Sequence, residues 1–192
     1  MILIIDCGSN KTKYIEQIVY EFMDTKLTSL MDFDEDILDG IQGVILSGAP
    51  ILITEIDTAP YQEKLKWILT TEIPVLGICF GHQLIGLLHG AFGNRMREDR
   101  DWQTIEAMED CELFNRLPNE FQMMQDHCET ISIPPGFTLM ASSDACINEA
   151  MKHTEKPLFG VQFHPEVSGN HGAVLLENFV KVCELKSGPQ FD

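Results

Sequence analysis

The sequence predicts an α/β fold with a mixed, mostly parallel central sheet flanked by helices. Short apolar segments alternate with stretches whose apolar residues recur at helical spacing, and this alternation fills roughly the first ninety residues. The second half has shorter strand-like segments, so we expect antiparallel strands to extend the sheet there. A chain of 192 residues, 44% of them hydrophobic, is most simply one domain with a large core.

The first half contains four predicted strands. Strands are assigned where four or five consecutive residues are apolar, as in parallel strands buried on both faces, and helices where apolar residues recur every three or four positions. The predicted elements are strand 2–5, helix 11–24, a weaker strand 27–31, strand 43–46, helix 61–69 and strand 74–78.

The second half is predicted to hold the antiparallel additions and a closing helix. A Pro-Pro-Gly sequence at 134–136 predicts a turn between two of these strands. We expect the domain to cover residues 1–185, with a C-terminal tail over 186–192. The predicted elements are strands 121–124, 130–133, 137–142 and 158–163, and a helix over 173–185.

A nucleophile-type residue lies at the sharpest predicted turn. Cys79 directly follows the fourth strand, and apolar residues at helical spacing begin immediately after it. Gly77 and Gly81 complete the Gly-x-Cys-x-Gly spacing of a nucleophile elbow, where residues without a Cβ let strand and helix approach closely. The elbow places the sulfur at a helix N-terminus, which favours the reactive thiolate. A buried structural cysteine is the alternative.

A second candidate motif, His164-Pro165-Glu166, follows the last predicted strand. In an extended segment residues i and i+2 point to the same side, so we expect His164 and Glu166 to face one cleft. The carboxylate could then accept the imidazole N–H, and a cysteine, a histidine and an orienting carboxylate form a triad. A surface turn is the alternative.

Charge and cysteine usage restrict the function further. The chain has 30 acidic and 13 basic residues, a net charge of −17, and lacks the basic patch that nucleic acid or an anionic membrane requires. The six cysteines form no C-x-x-C pair, and neither a metal nor a cofactor is expected. No secretory signal or membrane span is visible, so we expect a cytoplasmic protein with mostly free thiols. The cysteines expected to be packing residues are Cys7, Cys111, Cys146 and Cys183.

Three motifs in register resemble those of the class I, or triad, glutamine amidotransferases. They lie at 46–50, 77–83 and 160–166, and their order and separation fit that family over roughly residues 1–185. The segments 4–9 and 149–153 are most similar to the glutaminase domains and subunits of GMP synthetases. The resemblance implies the flavodoxin-like fold of class I amidotransferases.

The resemblance also implies roles for individual residues. Cys79 would be the nucleophile, His164 the general base and acid, and Glu166 the carboxylate that orients the imidazole. The substrate would be L-glutamine, converted to glutamate and ammonia through a glutamyl thioester. The resemblance further implies that an oxyanion hole is formed at Gly48, Ala49 and Phe80. It also implies that the substrate is bound by Gln83, Asp126 and His127.

In this family the ammonia passes to a synthetase. Because the chain contains no Gly-rich phosphate loop for ATP, we expect a separate synthetase partner of the ATP-pyrophosphatase type, plausibly for GMP. Two departures from the pattern affect this expectation. Ala49 replaces the second glycine of Ser-Gly-Gly-Pro, where it would be strained if the backbone needs a positive φ. The segment 126–129 reads Asp-His-Cys-Glu where the GMP synthetase group has Ser-His-x-Asp, and an extra carboxylate could alter glutamine binding.

Two other functions stay open at this point. One is a stand-alone hydrolase of γ-glutamyl compounds that has no synthetase partner. The other is a regulatory module that kept the fold and lost turnover, with Ala49 as the damaging change. The intact set of Cys79, His164 and Glu166 argues against the second alternative.

Overall fold

A computed structural model of the chain describes residues 1–187 as a layered α/β structure. The helices are α1 (Thr12–Tyr20), α2 (Ala59–Lys64), α3 (Phe80–Leu88) and α4 (Gly169–Ser187). The strands are β1 (Ile2–Asp6), β2 (Thr25–Ser29), β3 (Gly43–Leu46), β4 (Val75–Ile78), β5 (Gly93–Asp99), β6 (Trp102–Ala107), β7 (Glu120–Met124), β8 (His127–Ile131), β9 (Phe137–Ser142), β10 (Ala150–His153) and β11 (Leu158–Val161).

A nine-stranded sheet in the order β2-β1-β3-β4-β11-β10-β9-β6-β7 forms the centre of the molecule. The first five strands in this order pair in parallel, and the remaining pairs are antiparallel. The predicted mixed, mostly parallel α/β sheet is therefore confirmed. Strands β5 and β8 form a separate antiparallel ribbon that the sequence did not predict.

The core has two layers because successive side chains of a strand point to opposite faces. Ile2 and Ile4 of β1 pack into the layer that contains residues of α1 and α4. Leu3 and Ile5 of the same strand pack into the layer that contains residues of α3. The sheet is thus covered on both sides, which explains the continuous apolar sequences of its parallel strands.

Helix boundaries differ from the prediction in three places. The helix predicted to reach residue 24 ends at Tyr20, and the one predicted over 61–69 is α2 followed by a 3-10 turn at Lys66–Leu69. Helix α4 begins at Gly169 and not at residue 173, so Gly172 lies inside the helix, where it allows close packing. A Cβ at Gly172 would lie 1.8 Å from the carbonyl oxygen of Pro165.

The predicted tail over 186–192 begins inside α4, which extends to Ser187. Residues 188–192 lie outside the described residues, so the division into a domain over 1–185 and a tail stays a prediction. Within residues 1–187, no helix is both long and apolar enough to cross a membrane.

Two glycines allow β4 and α3 to meet at a sharp angle. A Cβ at Gly77 would lie 2.6 Å from backbone atoms of Gly81 and His82. A Cβ at Gly81 would lie 2.5 Å from the carbonyl oxygen of Leu46 in the neighbouring strand β3. Because these neighbours are backbone atoms of α3 and β3, which cannot move aside, only glycine fits at these two positions.

We expect Gly81→Ala to lower the free energy of unfolding by about 1–3 kcal/mol, because the added methyl group overpacks the contact with β3. Gly93→Ala is the matched control, since its Cβ would meet the flexible tip of Ile53 at 2.8 Å. Urea unfolding followed by circular dichroism measures both variants. Equal losses in the two variants would contradict a special role for Gly81.

Candidate active site

Six of the nine predicted functional residues line one cavity at the carboxyl edge of the parallel strands, and Gly48, Phe80 and Glu166 are not in its lining. The loops that follow β1, β3 and β4 contribute to its wall, as does the segment after β11. Its volume is about 630 Å³. Ligands of open parallel sheets bind at this edge because the strand ends and helix N-termini meet there. The lining includes Ala49, Cys79, Gln83, Asp126, His127 and His164.

Cys79 has a strained backbone at the junction of β4 and α3. Its φ of 50° and ψ of −104° are unusual for a residue with a side chain. Its N–H donates to the carbonyl oxygen of Val161 at 2.8 Å, which continues the pairing of β4 with β11. The side chain is 6% exposed and lines the cavity. This is the geometry of the predicted nucleophile elbow.

His164 and Glu166 meet as the sequence predicted. His164 Nδ1 donates to a carboxylate oxygen of Glu166 at 2.7 Å, and both side chains are buried. The route to this contact differs from the prediction, because Pro165–Val167 forms a 3-10 turn where an extended segment was expected. The backbone N–H of His164 also donates to the carbonyl oxygen of Met124 at 2.9 Å, which ties the turn to β7.

The surroundings of His164 favour its protonated form. Burial alone would lower the pKa of His164, but the negative charge and hydrogen bond of Cys79, together with Glu166, raise it to about 10. The imidazole therefore carries a proton at neutral pH, held between a sulfur and a carboxylate. Such an imidazolium can stabilise a thiolate and can donate a proton to a leaving group.

The three positions predicted for an oxyanion hole lie at this end of the sheet. A Cβ at Gly48 would stand 3.2 Å from His164 Cε1 and 3.5 Å from Cys79 Cβ, so the Gly48 backbone is next to both side chains. Phe80 is the first residue of α3, where a backbone N–H has no acceptor within the helix. Ala49 is not strained, because the only non-glycine residues of 1–187 with positive φ are Cys79 and Arg116.

Gln83 lies in the cavity wall, but its amide is already engaged. Its Nε2 donates to the carbonyl oxygen of Glu129 at 3.3 Å and to Oε1 of Gln162 at 3.1 Å. Gln162 Nε2 in turn approaches the sulfur of Cys79 at 3.6 Å. Gln162, whose role the sequence analysis did not foresee, therefore connects Gln83 to Cys79. Its position two residues before His164 was the available signal.

Asp126 has cationic neighbours at the mouth of the cavity. Its carboxylate accepts from Lys11 Nζ at 2.5 Å and lies 3.4 Å from Arg100 Nε. Partial burial opposes ionisation, but the hydrogen bond and charge of Lys11 outweigh it and lower the pKa of Asp126. Lys11 was not predicted as a site residue, although it belongs to the loop that follows β1 at the same sheet edge.

His127 is held in place by two polar contacts beside the cavity. Its Nδ1 lies 2.9 Å from the carbonyl oxygen of Glu129, and its Nε2 lies 3.0 Å from Oε1 of Gln125. Burial is the main reason that the pKa of His127 is lowered. His127 is thus a fixed part of the wall.

The remaining thiols differ from Cys79 in their surroundings. Burial is the main reason that the pKa values of Cys7, Cys146 and Cys183 are raised to about 12 and that of Cys111 to about 11. These four cysteines are buried, as the sequence predicted for packing residues. Among residues 1–187, no group of three or more His, Cys, Asp and Glu side chains is placed to hold a metal ion.

Comparison with known proteins assigns the family. The model of the class-I glutamine amidotransferase family matches residues 3–183, and the chain belongs to this family. The chain is 40% identical over 161 residues to a Methanococcus aeolicus protein named as a subunit of glutamine-hydrolysing GMP synthase, and the match covers 82% of this chain and 81% of that protein. It is 37% identical to the protein of that name from Methanococcus maripaludis, over 95% of this chain and 97% of the relative.

Solved structures agree with this assignment. A Thermoplasma acidophilum protein, whose suggested identity is a GMP synthase subunit, superposes with a TM-score of 0.88 at 31% identity and covers 96% of this chain and 94% of its own. A Thermotoga maritima glutamine amidotransferase has the same fold, with a TM-score of 0.74 at 22% identity over 97% of this chain and 85% of its own. The resemblance inferred from the three motifs is confirmed.

We expect His164 to stay protonated through pH 8 in the native protein, and its pKa to fall in the Cys79→Ala variant. The sign follows from the opposing effects, since removal of the Cys79 charge leaves burial opposed by Glu166 alone. NMR titration of labelled imidazoles measures the change, with His153 outside the cavity as the internal reference. An identical His164 titration in both proteins would refute the coupling.

Proposed function

We propose that this chain hydrolyses L-glutamine to glutamate and ammonia through Cys79, His164 and Glu166, and supplies the ammonia to a separate synthetase. The observation that carries the proposal is the strained Cys79 at a helix N-terminus, beside an imidazole that a buried carboxylate orients. Family membership and the names of the relatives support the same reaction.

In the first half of the reaction, the Cys79 thiolate attacks the side-chain amide carbon of glutamine and forms a C–S bond. In this mechanism the carbonyl oxygen becomes an oxyanion, which accepts hydrogen bonds from the backbone N–H groups of Gly48, Ala49 and Phe80. His164 then donates its proton to the amide nitrogen, the C–N bond breaks, and ammonia leaves. A γ-glutamyl thioester on Cys79 remains.

In the second half, the neutral His164 accepts a proton from water as the water oxygen attacks the thioester carbon. The C–S bond breaks, glutamate is released, and the thiolate is again paired with an imidazolium. Glu166 accepts a hydrogen bond from Nδ1–H of His164 and so orients the ring with Nε2 towards the reacting atoms.

The charges at the mouth of the cavity fit the zwitterionic end of glutamine. We infer that the α-ammonium group is drawn to Asp126 and the α-carboxylate to Lys11 or Arg100, the two cations that contact Asp126 in the structure. The side-chain amide would then extend along the wall formed by Gln83 and His127 towards Cys79. In this arrangement the extra carboxylate at position 126 recognises substrate.

We propose a synthetase of the ATP-pyrophosphatase type as the partner, with GMP formation as the reaction it performs. The support comes from relatives of nearly the same length, each named as one subunit of a glutamine-hydrolysing GMP synthase. A name of this kind implies another subunit that carries the synthetase site. We also keep the expectation that the protein is cytoplasmic and binds neither nucleic acid nor membrane.

We expect Cys79→Ala to lower glutamate release from glutamine by about a thousandfold or more, because no other group can form the thioester. The measurement is glutamate production by the purified chain, alone and with the partner synthetase. Cys111→Ala is the matched control, as it removes a buried thiol outside the cavity. Unchanged turnover in Cys79→Ala would reject the mechanism.

A glutamine-analogue diazoketone gives a test that needs no partner. We expect one adduct, at Cys79, that excess glutamine prevents, and mass spectrometry identifies the modified residue. An adduct at another residue would place the reactive group elsewhere.

We expect the chain to support glutamine-dependent amination of a purine nucleotide when mixed with the GMP-forming synthetase of the same organism and ATP. The reason is that the synthetase can use the ammonia released at Cys79. The measurement compares glutamine with ammonium salt as nitrogen source, with Cys79→Ala as control. A stand-alone γ-glutamyl hydrolase would instead leave amination dependent on added ammonium.

A further inference from the structure

Glu129 is a buried carboxylate with no role in the proposed reaction. It lies on β8, is 2% exposed, and forms no ion pair with any lysine or arginine of residues 1–187. A buried carboxylate without a cation must be stabilised by hydrogen-bond donors, because desolvation of the charge is costly. The donors therefore identify the segment of the chain that Glu129 holds in place.

All three donors to the Glu129 carboxylate come from one short segment after β3. One oxygen accepts from the N–H of Ile53 at 2.6 Å. The other accepts from the N–H of Thr54 at 3.1 Å and from Thr54 Oγ1 at 2.5 Å. The carboxylate therefore fixes two consecutive backbone amides of a loop that is 76 residues away in sequence.

The loop that Glu129 contacts forms part of the cavity wall, and it extends back along the chain to the predicted oxyanion positions. Residues 49–52, between the end of β3 and the Glu129 contacts, all line the cavity. Gly48, at the near end, stands beside Cys79 and His164. The loop thus has one anchor at β3 and a second at Glu129, with the predicted oxyanion amides of Gly48 and Ala49 close to the first.

The backbone of Glu129 belongs to the same structure. Its carbonyl oxygen accepts from Gln83 Nε2 at 3.3 Å and contacts His127 Nδ1 at 2.9 Å. Gln83 continues through Gln162 to the sulfur of Cys79. A single residue therefore joins the loop after β3 to the opposite wall and to the nucleophile.

We propose that Glu129 is a positioning residue that sets the loop over 48–54, and with it the oxyanion amides, relative to Cys79. The inference rests on the proposed function and adds a determinant of rate whose carboxylate is bound to Ile53 and Thr54. The carboxylate is required because it faces three donors. A glutamine in its place has one amide oxygen, and its NH₂ group would face an N–H or an O–H.

The test compares Glu129→Gln with Glu129→Asp and Thr54→Ala. Thr54 is exposed, so its variant loses one donor without risk to the core. Glu112→Gln is the matched control, because it removes a carboxylate that pairs with Lys152 outside the cavity. The measurements are kcat and KM for L-glutamine, the rate of Cys79 alkylation by iodoacetamide, and hydrogen exchange of the Ile53 and Thr54 amides.

We expect kcat of Glu129→Gln to fall about 10- to 100-fold. This loss is smaller than the loss of rate on removal of an oxyanion-hole donor, because the donors would be displaced but still present. Alkylation of Cys79 should stay within about twofold of the native rate, since iodoacetamide needs no oxyanion hole. Glu129→Asp should recover part of kcat, and Thr54→Ala should lose less than Glu129→Gln. Exchange at residues 53 and 54 should be faster in Glu129→Gln.

Two results would overturn the proposal. One is a kcat of Glu129→Gln within about twofold of the Glu112→Gln control. The other is an equal loss of turnover and alkylation, which would indicate collapse of the whole site. Should the native protein release no glutamate, the proposed function fails, while hydrogen exchange still decides whether Glu129 holds the loop.

Discussion

The strained backbone at Cys79 is the constraint on which the rest of the site depends. A side-chain-bearing residue with φ of 50° persists only where its surroundings fix it. Here Gly77 and Gly81 let α3 press against β4 and β3, and the hydrogen bond from Cys79 to Val161 holds the other side. This backbone conformation directs the sulfur of Cys79 into the cavity. Its energetic cost is offset by the stability of the surrounding core.

The two halves of the sheet make different contributions to the site. The parallel half supplies the strand ends that carry Cys79, His164 and the loop after β3. The antiparallel half and the β5–β8 ribbon supply the facing wall, through the Met124 carbonyl that fixes His164 and through Glu129. The cavity therefore lies between the parallel half of the sheet and the antiparallel half with its ribbon, and neither half encloses it alone.

The sequence was sufficient for features that depend on local spacing. The parallel strands and the Cys79 elbow follow from apolar segments and glycine positions. The His164–Glu166 contact was predicted from an extended segment, but in the structure it forms across a 3-10 turn. The ribbon, the start of α4 and the links through Gln162, Glu129 and Lys11 depend on contacts between segments far apart in the chain. Gly172 illustrates the limit, because a glycine required for packing against Pro165 cannot be told from a loop glycine by composition.

The placement of Cys79 and His164 after neighbouring strands affects how the site fluctuates. Strand β4 is buried throughout and pairs with β11 up to Ile78 and Val161, so the two groups separate only when central pairing is lost. Such pairing belongs to the most protected unit of a domain in native-state exchange. The mouth is built from loops and partly exposed ion pairs, and segments of that kind belong to the least stable parts of a domain. Local motions can thus admit ligands while the reacting groups remain in register.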